Sequence, residues 1–351
     1  MTAILLNNAK ALCQATIVLS NDQAQLKAVG YYIADVTDER SDKTPAAHVL
    51  VKQNDGKLTQ QLQDLQSAAI RHFLTQNVVK DTTQRAVSIG IKNLHVTETL
   101  SPDGNIDGHV QLTLSFGLLK NYGTEHLVDY SGILHYIKPP VYAGSPEQHI
   151  RAALKRALLY FNNWMKVNES GNRKLARSVR FMFNNFNEQP EGDTIYYSPA
   201  RRLTWNDFQS KLRPLDNSFS AEVLPEIGYQ EHDEMVKGVI NVYISLKPNV
   251  QKSSSWKDEI NMNSYSLNHE QKHFDIAQVV MLQFAQKIKD AHLTPDNYEA
   301  FISMQYFDSE RDMAAMQKAY DRETSHGMNK SAQADWNDKI DALLKTRTPV
   351  L

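Results

Sequence analysis

Strict alternation constrains this chain more than any other feature. Val110, Leu112, Leu114, Phe116 and Leu118 are apolar, and the residues between them are Gln, Thr, Ser and Gly. Successive side chains of a strand point to opposite faces, so a period of two makes a strand with one buried face. A helix would scatter the same apolar residues around its circumference. Val87, Ile89 and Ile91 repeat the pattern, and SPDGN at 101–105 supplies turn residues to join the two strands. Val128, Tyr130, Gly132, Leu134 and Tyr136 give a third strand, stopped by Pro139 and Pro140. Leu58, Leu62, Leu65 and Ala69 recur at three- and four-residue steps, which predicts a helix over residues 58–74. Residues 28–165 therefore read as an α/β, sandwich-like domain, preceded at 1–27 by a tail or leader remnant that contains Cys13.

A further helix opens at SPEQ, with Ser145 as N-cap, Pro146 at its first position and Gln148 closing a capping box. Ile150, Leu154, Ala157, Leu158 and Phe161 form its apolar face. From residue 151 to 180 there are eight Lys or Arg against one acid, Glu169. No aromatic residues interleave with these bases in the manner of a nucleic-acid surface, so they read as a solvated face. The net charge of -2 likewise offers no attraction to nucleic acid or anionic lipid. No stretch approaches the roughly 18 apolar residues of a transmembrane helix. NNFNEQPEGD at 184–193 reads as a long loop, which places a linker and boundary at 166–197 and a second domain at 198–351. The whole is expected to be an α+β protein of two domains.

With one cysteine in 351 residues, a metal site in this chain must be built from His, Asp and Glu. NHEQKHFDIA at 268–277 meets that condition. On a helix His269 and His273 lie one above the other, able to present two imidazoles to one ion, while Glu270 stands about 100° around, within reach of a water on that ion. This is the chemistry of H-E-x-x-H: two neutral nitrogen ligands and a carboxylate to take a proton. The helix is predicted to start among Asn263, Ser264 and Ser266 and to finish near Asp290. Ile276, Ala277, Val280 and Phe284 continue the face of the histidines, so they point inward. The longer H-E-x-x-H-x-x-G-x-x-H pattern fails, because Ile276 and Val279 stand where its Gly and last His would be.

The third ligand is less constrained. A helix with Thr294 as N-cap carries Glu299 and Glu310, and its continuation ends at YDRETSHG, where Gly327 as the C-terminal stop places His326 at the helix terminus. His326, Glu323 and Asp321 are then rival ligands. Asp275, two residues and about 200° past His273 around the helix, cannot share the face of His269 and His273 and reads instead as a hydrogen-bond partner.

LTWNDF at 203–208, SSW at 254–256, NHEQKHFDIA, and YDRETSHG followed by Gln333 and Trp336 together resemble the bacterial domain of unknown function 922 family, regarded as zinc-dependent peptidases. The resemblance covers about residues 197–344. It implies a zincin-like fold, Zn as cofactor, His269 and His273 as ligands, Glu270 as catalytic base, His326 as the third ligand with Glu323 as its alternative, and a setting in the bacterial envelope, periplasmic or secreted. Lys272 and Gln278 depart from the Gly and Glu of relatives. Trp205 and Asp207 of LTWNDF are expected to be structural, and Tyr265 and Tyr320 to be packing tyrosines with satisfied hydroxyls. The activity so implied is hydrolysis of a peptide or protein substrate, with the strand at 239–246 as the edge to which substrate adds. The rival is a non-catalytic, envelope-associated binding protein.

Overall fold

The computed structural model describes residues 15–20, 25–44, 46–211, 220–260 and 262–346. Cys13 and most of the expected leader lie outside them. The protein is mixed α+β and divides into two compact units, Met1–Glu169 and Ser170–Leu351. Among the described residues no helix is long and apolar enough to cross a membrane.

The described residues of the first unit form one seven-stranded sheet and two α-helices. Its strands are β1 (Ala15–Thr16), β2 (Tyr31–Asp38), β3 (Ala47–Lys52), β4 (Leu58–Asp64), β5 (Arg85–Leu100), β6 (Ile106–Lys120) and β7 (Gly123–Lys138). They run β1-β4-β3-β5-β6-β7, with β2 also paired to β5. β5, β6 and β7 form an antiparallel meander joined through the turn at 101–105, where Ser101 N donates to Asn105 O at 2.8 Å. Register puts Ile89 opposite Phe116 and Ile91 opposite Leu114, so the alternation becomes one continuous buried face. α2 (Glu147–Asn168) covers that face: Phe161 stacks on Phe116 with ring centroids 4.2 Å apart and meets Tyr31 edge-on at 4.8 Å.

Two expectations fail here. Residues 58–74 are not one helix; 58–64 is β4, and α1 spans Ser67–Gln76. The Leu spacing fits a helix, but hydrogen bonding to β3 decides the matter and leaves Leu62 43% exposed. The SPEQ box does not form either. Pro146 occupies the N-cap position with near-helical backbone, and Ser145 Oγ accepts from Glu147 N at 3.3 Å instead.

The second unit is built around α3 (Ser264–Asp290). Asn263 caps it, its side chain accepting from Tyr265 N and Ser266 N at 3.0 and 2.9 Å. Lys287 and Lys289 complement the dipole of the last turn. Every residue from 269 to 282 is buried. One side packs on a sheet of β8 (Ser178–Asn185), β11 (Tyr229–Val236) and β12 (Val239–Leu246), where Ile240, Val242, Ile244 and Leu246 meet Ala277, Val280, Met281 and Phe284. Another side packs on α4 (Tyr298–Thr324) and α5 (Lys330–Thr346) through Ile276, Val279, Tyr320, Trp336 and Ile340. Two strand pairs complete the unit: β9 (Thr194–Tyr196) with β13 (Asn249–Gln251), and β10 (Ala221–Glu222) with β14 (Trp256–Lys257).

The expected boundary segment is therefore partly structure, since β8 falls inside 166–197 and pairs parallel with β12 along its whole length. β12 is also not an edge. It lies between β11 and β8, so both its hydrogen-bonding rows are in use and no substrate strand can add to it. Asp207 closes a capping box with Thr204 around a short 3-10 turn at Trp205–Asp207 and is held by Arg201 at 2.7 Å.

Candidate metal centre

Because α3 is buried on all sides over its middle turns, each polar group there needs a partner. On one flank Lys272 Nζ pairs with Asp275 Oδ2 at 3.0 Å and with Asp341, while Asp275 Oδ1 accepts from Gln271 Nε2 at 2.9 Å and from Tyr197 Oη at 3.2 Å. Asp275 is thus engaged away from the histidines, and the Lys at 272 is absorbed by an ion pair.

The other flank carries the histidines, and their partners decide what they can do. His273 Nδ1 lies 2.5 Å from Gln317 Oε1 of α4, and His269 Nδ1 lies 2.8 Å from Gln333 Oε1 of α5. Gln317 Nε2 donates to the backbone O of His273 at 2.9 Å, which fixes which end of that amide faces the ring. The amide oxygens can only accept, so each Nδ1 carries a proton for its glutamine and each Nε2 is left facing the same point. The two Nε2 atoms face each other at 3.2 Å. Asp321 Oδ1 joins them, 3.0 Å from His273 Nε2 and 3.4 Å from His269 Nε2. That oxygen is buried and, among the described residues, has no hydrogen bond of acceptable geometry.

Two Nε2 atoms and a carboxylate oxygen converging on one point, with both Nδ1 donors committed elsewhere, is a donor set that a cation satisfies. The distances fit. Nε2 atoms 3.2 Å apart subtend about 100° at an ion roughly 2.05 Å from each, close to a tetrahedral angle. Burial pushes the Asp321 carboxyl up, but imperfectly aligned hydrogen bonding from His269 and His273 and the positive charge on His273 outweigh it and hold it well below the usual carboxylate range. Burial pushes His273 down, but Asp321 and Glu270 outweigh it and raise its pKa, so protonated imidazole and carboxylate hold each other where a cation would take the proton's place. Tyr320 is the floor of the site: its ring stacks on His269 at 4.8 Å, stands edge-on to His273, and its hydroxyl donates to His269 O at 3.3 Å.

The expected third ligands are placed as follows. His326 lines the same cleft, its Nδ1 3.5 Å from Asp321 Oδ1, but the donor group that closes on one point is His269, His273 and Asp321. Glu323 Oε2 accepts from Trp336 Nε1 at 2.8 Å and stands outside that group. The turn that carries His326 has three successive left-handed residues, Ser325, His326 and Gly327, with φ of 50°, 51° and 81°. Gly327 is required there: a Cβ would meet the His269 ring at 3.3 Å, and Tyr265 Oη donates to Gly327 O at 2.5 Å. Left-handed backbone at non-glycine residues costs about 1–2 kcal/mol each, and such strain persists where surrounding bonds over-determine it. Here Thr324, fully buried, donates to Tyr320 O and accepts from Gly327 N.

Glu270 is buried beside the same point. Its Oε2 accepts from Val223 N at 2.9 Å. Burial raises its pKa above the ordinary glutamate value, although both imidazoles and the Val223 N–H pull the other way. A cleft of ≈ 480 Å³ opens over Glu270, the histidines and Asp321, walled on one side by residues 220–225 and on the other by Tyr265, Gly327 and Met328.

Asp321 stood in YDRETSHG as a rival ligand and Gln333 in the pattern that follows it, whereas Gln317 lies in no motif of the sequence. A signal existed in spacing: Gln317 and Asp321 are four apart on α4 and so share one face.

No family model matches the chain, and no curated protein does. Among solved structures it is similar to a Xanthomonas campestris protein of the domain of unknown function 330 family, at 8% identity, over 44% of this chain and 92% of that one. The TM-score is 0.22, which carries no argument about fold or function.

Proposed function

We propose that the second unit is a zinc-dependent peptidase of zincin-like organisation, with His269, His273 and Asp321 as metal ligands and Glu270 as general base. The observation that supports it most is the geometry at the histidines: both Nδ1 atoms are turned to glutamine oxygens, and both Nε2 atoms converge with the Asp321 carboxylate oxygen on one point. Zinc held by such a set polarises a carbonyl and lowers the pKa of a water into the neutral range. His326, at 3.5 Å from Asp321, positions the carboxylate and lines the cleft.

Glu270 then has the two properties that a proton carrier needs. Val223 N–H anchors one oxygen, leaving the other for the proton, and its raised pKa lets it accept from water and release to the leaving amine. The wall at 220–225 contains β10, paired on one side with β14, along which an extended peptide lies. The resemblance of the four sequence motifs to zinc peptidases, and through it a bacterial-envelope setting, supports the same reading.

Protein purified without added metal is expected to hold one equivalent of zinc at this site, lost in His269→Ala and Asp321→Ala. Glu270→Gln is expected to keep the zinc and lose hydrolysis of a peptide library. Activity that survives in Glu270→Gln refutes the mechanism. Zinc bound without hydrolysis by the unaltered protein indicates a binding protein instead.

A further inference from the structure

The first unit contains a second set of convergent donors, on the solvent side of its sheet, unrelated to the cleft just described. His109 on β6 and His135 on β7 are directly opposite in register, and Asp107 lies two residues before His109 on the same face. The imidazoles stack with centroids 4.7 Å apart and planes inclined by 28°. Asp107 Oδ1 lies 2.9 Å from His135 Nε2 and 3.5 Å from His109 Nδ1. All three ligand atoms are within 4.8 Å of one another.

We propose that Asp107, His109 and His135 form a surface site for a divalent transition-metal ion. Two imidazoles and one carboxylate are the donor set that suits Zn²⁺, Cu²⁺ or Ni²⁺ and that Mg²⁺ and Ca²⁺ take poorly. Donors that bridge one ion at about 2.1 Å stand no more than roughly 4.2 Å apart; both Asp–His distances meet that limit, and the two imidazole nitrogens lie within 4.8 Å of each other on rings exposed enough to turn. Half-exposed side chains leave room for water in the remaining coordination positions. The backbone supplies order at no further cost: β6 and β7 are paired from Ile106–Lys138 to Lys120–Gly123, so the three Cβ positions are fixed before any ion arrives.

His126 and Asp129 make an informative contrast. They form a His–Asp pair at 2.9 Å on β7, somewhat more exposed, but among the described residues no second imidazole joins them in a three-ligand group. If the Asp107 cluster were merely a surface ion pair, the two sets would behave alike.

The test is calorimetric titration of the full-length chain with Zn²⁺ and, separately, Cu²⁺ near neutral pH. It is run in the unaltered protein and in a His269→Ala/His273→Ala background, so that failure of the α3 centre and failure of this site are read separately. The unaltered protein is expected to bind one equivalent more than His135→Ala, His109→Ala or Asp107→Ala, and the same number as His126→Ala. In the background lacking the α3 histidines one equivalent is expected to remain. Unfolding is controlled by Asp107→Asn, which keeps the side-chain shape and is expected to weaken binding at least tenfold with an unchanged circular dichroism spectrum. Equal stoichiometry and affinity in His109→Ala, His135→Ala and the unaltered protein overturn the proposal.

Discussion

Gln317 holds His273 twice, through Nε2 to the backbone O at 2.9 Å and through Oε1 to Nδ1 at 2.5 Å. Gln317→Ala removes both bonds. The His273 carbonyl keeps its donor within the helix, so the main loss is the acceptor for a buried Nδ1–H, worth about 1–3 kcal/mol. The ring then relieves the loss by moving its proton to Nε2 or by rotating, and either change withdraws a ligand from the site. An altered partner of a ligating histidine typically weakens metal binding about 10–100-fold. That factor equals about 1.4–2.8 kcal/mol, the same range as the lost hydrogen bond. Competition against a chromogenic zinc chelator at neutral pH measures it directly. Gln317→Glu keeps an acceptor facing Nδ1 and is expected to recover most of the affinity that Gln317→Ala loses. Zinc affinity in Gln317→Ala within about twofold of the unaltered protein refutes the orienting role that the reasoning gives to this amide.

Three further outcomes follow from other parts of the molecule. Lys272→Met strands the buried Asp275 carboxylate and is expected to cost about 3–5 kcal/mol in urea unfolding; adding Asp275→Asn should recover part of it, and simple additivity of the two losses counts against the pairing. Phe161→Ala opens a void between α2 and the Phe116 face and is expected to cost about 3–5 kcal/mol in the unfolding of the first unit, with zinc content unchanged. Burial raises the Asp207 carboxyl, but Arg201 and the Thr204 donors outweigh that and hold it below its ordinary value, so its contribution is present above the unfolded pKa of about 3.9 and disappears as pH falls through the lower folded value. The stability gap between the unaltered protein and Asp207→Asn is therefore expected to close on acidification, and a gap that widens there contradicts the assignment.

What the sequence disclosed and what it withheld divide along one physical line. Alternation was readable and capping only in part: Asn263 starts α3, but Ser145 does not cap α2 and the cap position of α4 is Asn297, not Thr294; the alternation at 110–118 is a half-buried strand, and His269 and His273 share an inward face. Pairing partners were not. The Leu spacing of 58–65 satisfies a helix, and only hydrogen bonds to β3, remote from its own periodicity, make it a strand. VINVYISL shows by alternation that one face of β12 is buried, but says nothing about which strands flank it, so a central strand looked like an edge. The same limit governs the site. His326 and Asp321 both lie near the end of α4, and the choice of which meets the imidazoles depends on the left-handed turn that begins at Ser325. Nothing in YDRETSHG encodes that turn except Gly327.

The continuous burial of residues 269–282 also sets a clock. Amide protons in that stretch exchange with solvent only when the sheet and the two later helices release α3, an opening whose free energy approaches that of the whole unit. The turn after Thr324 belongs to a different setting, because Ser325 and His326 are exposed and Thr324 and Gly327 tie it to the buried interior. The amides of His269 and His273 are therefore expected to exchange slowly and together, while Asp321 sits at the border of the more exposed turn.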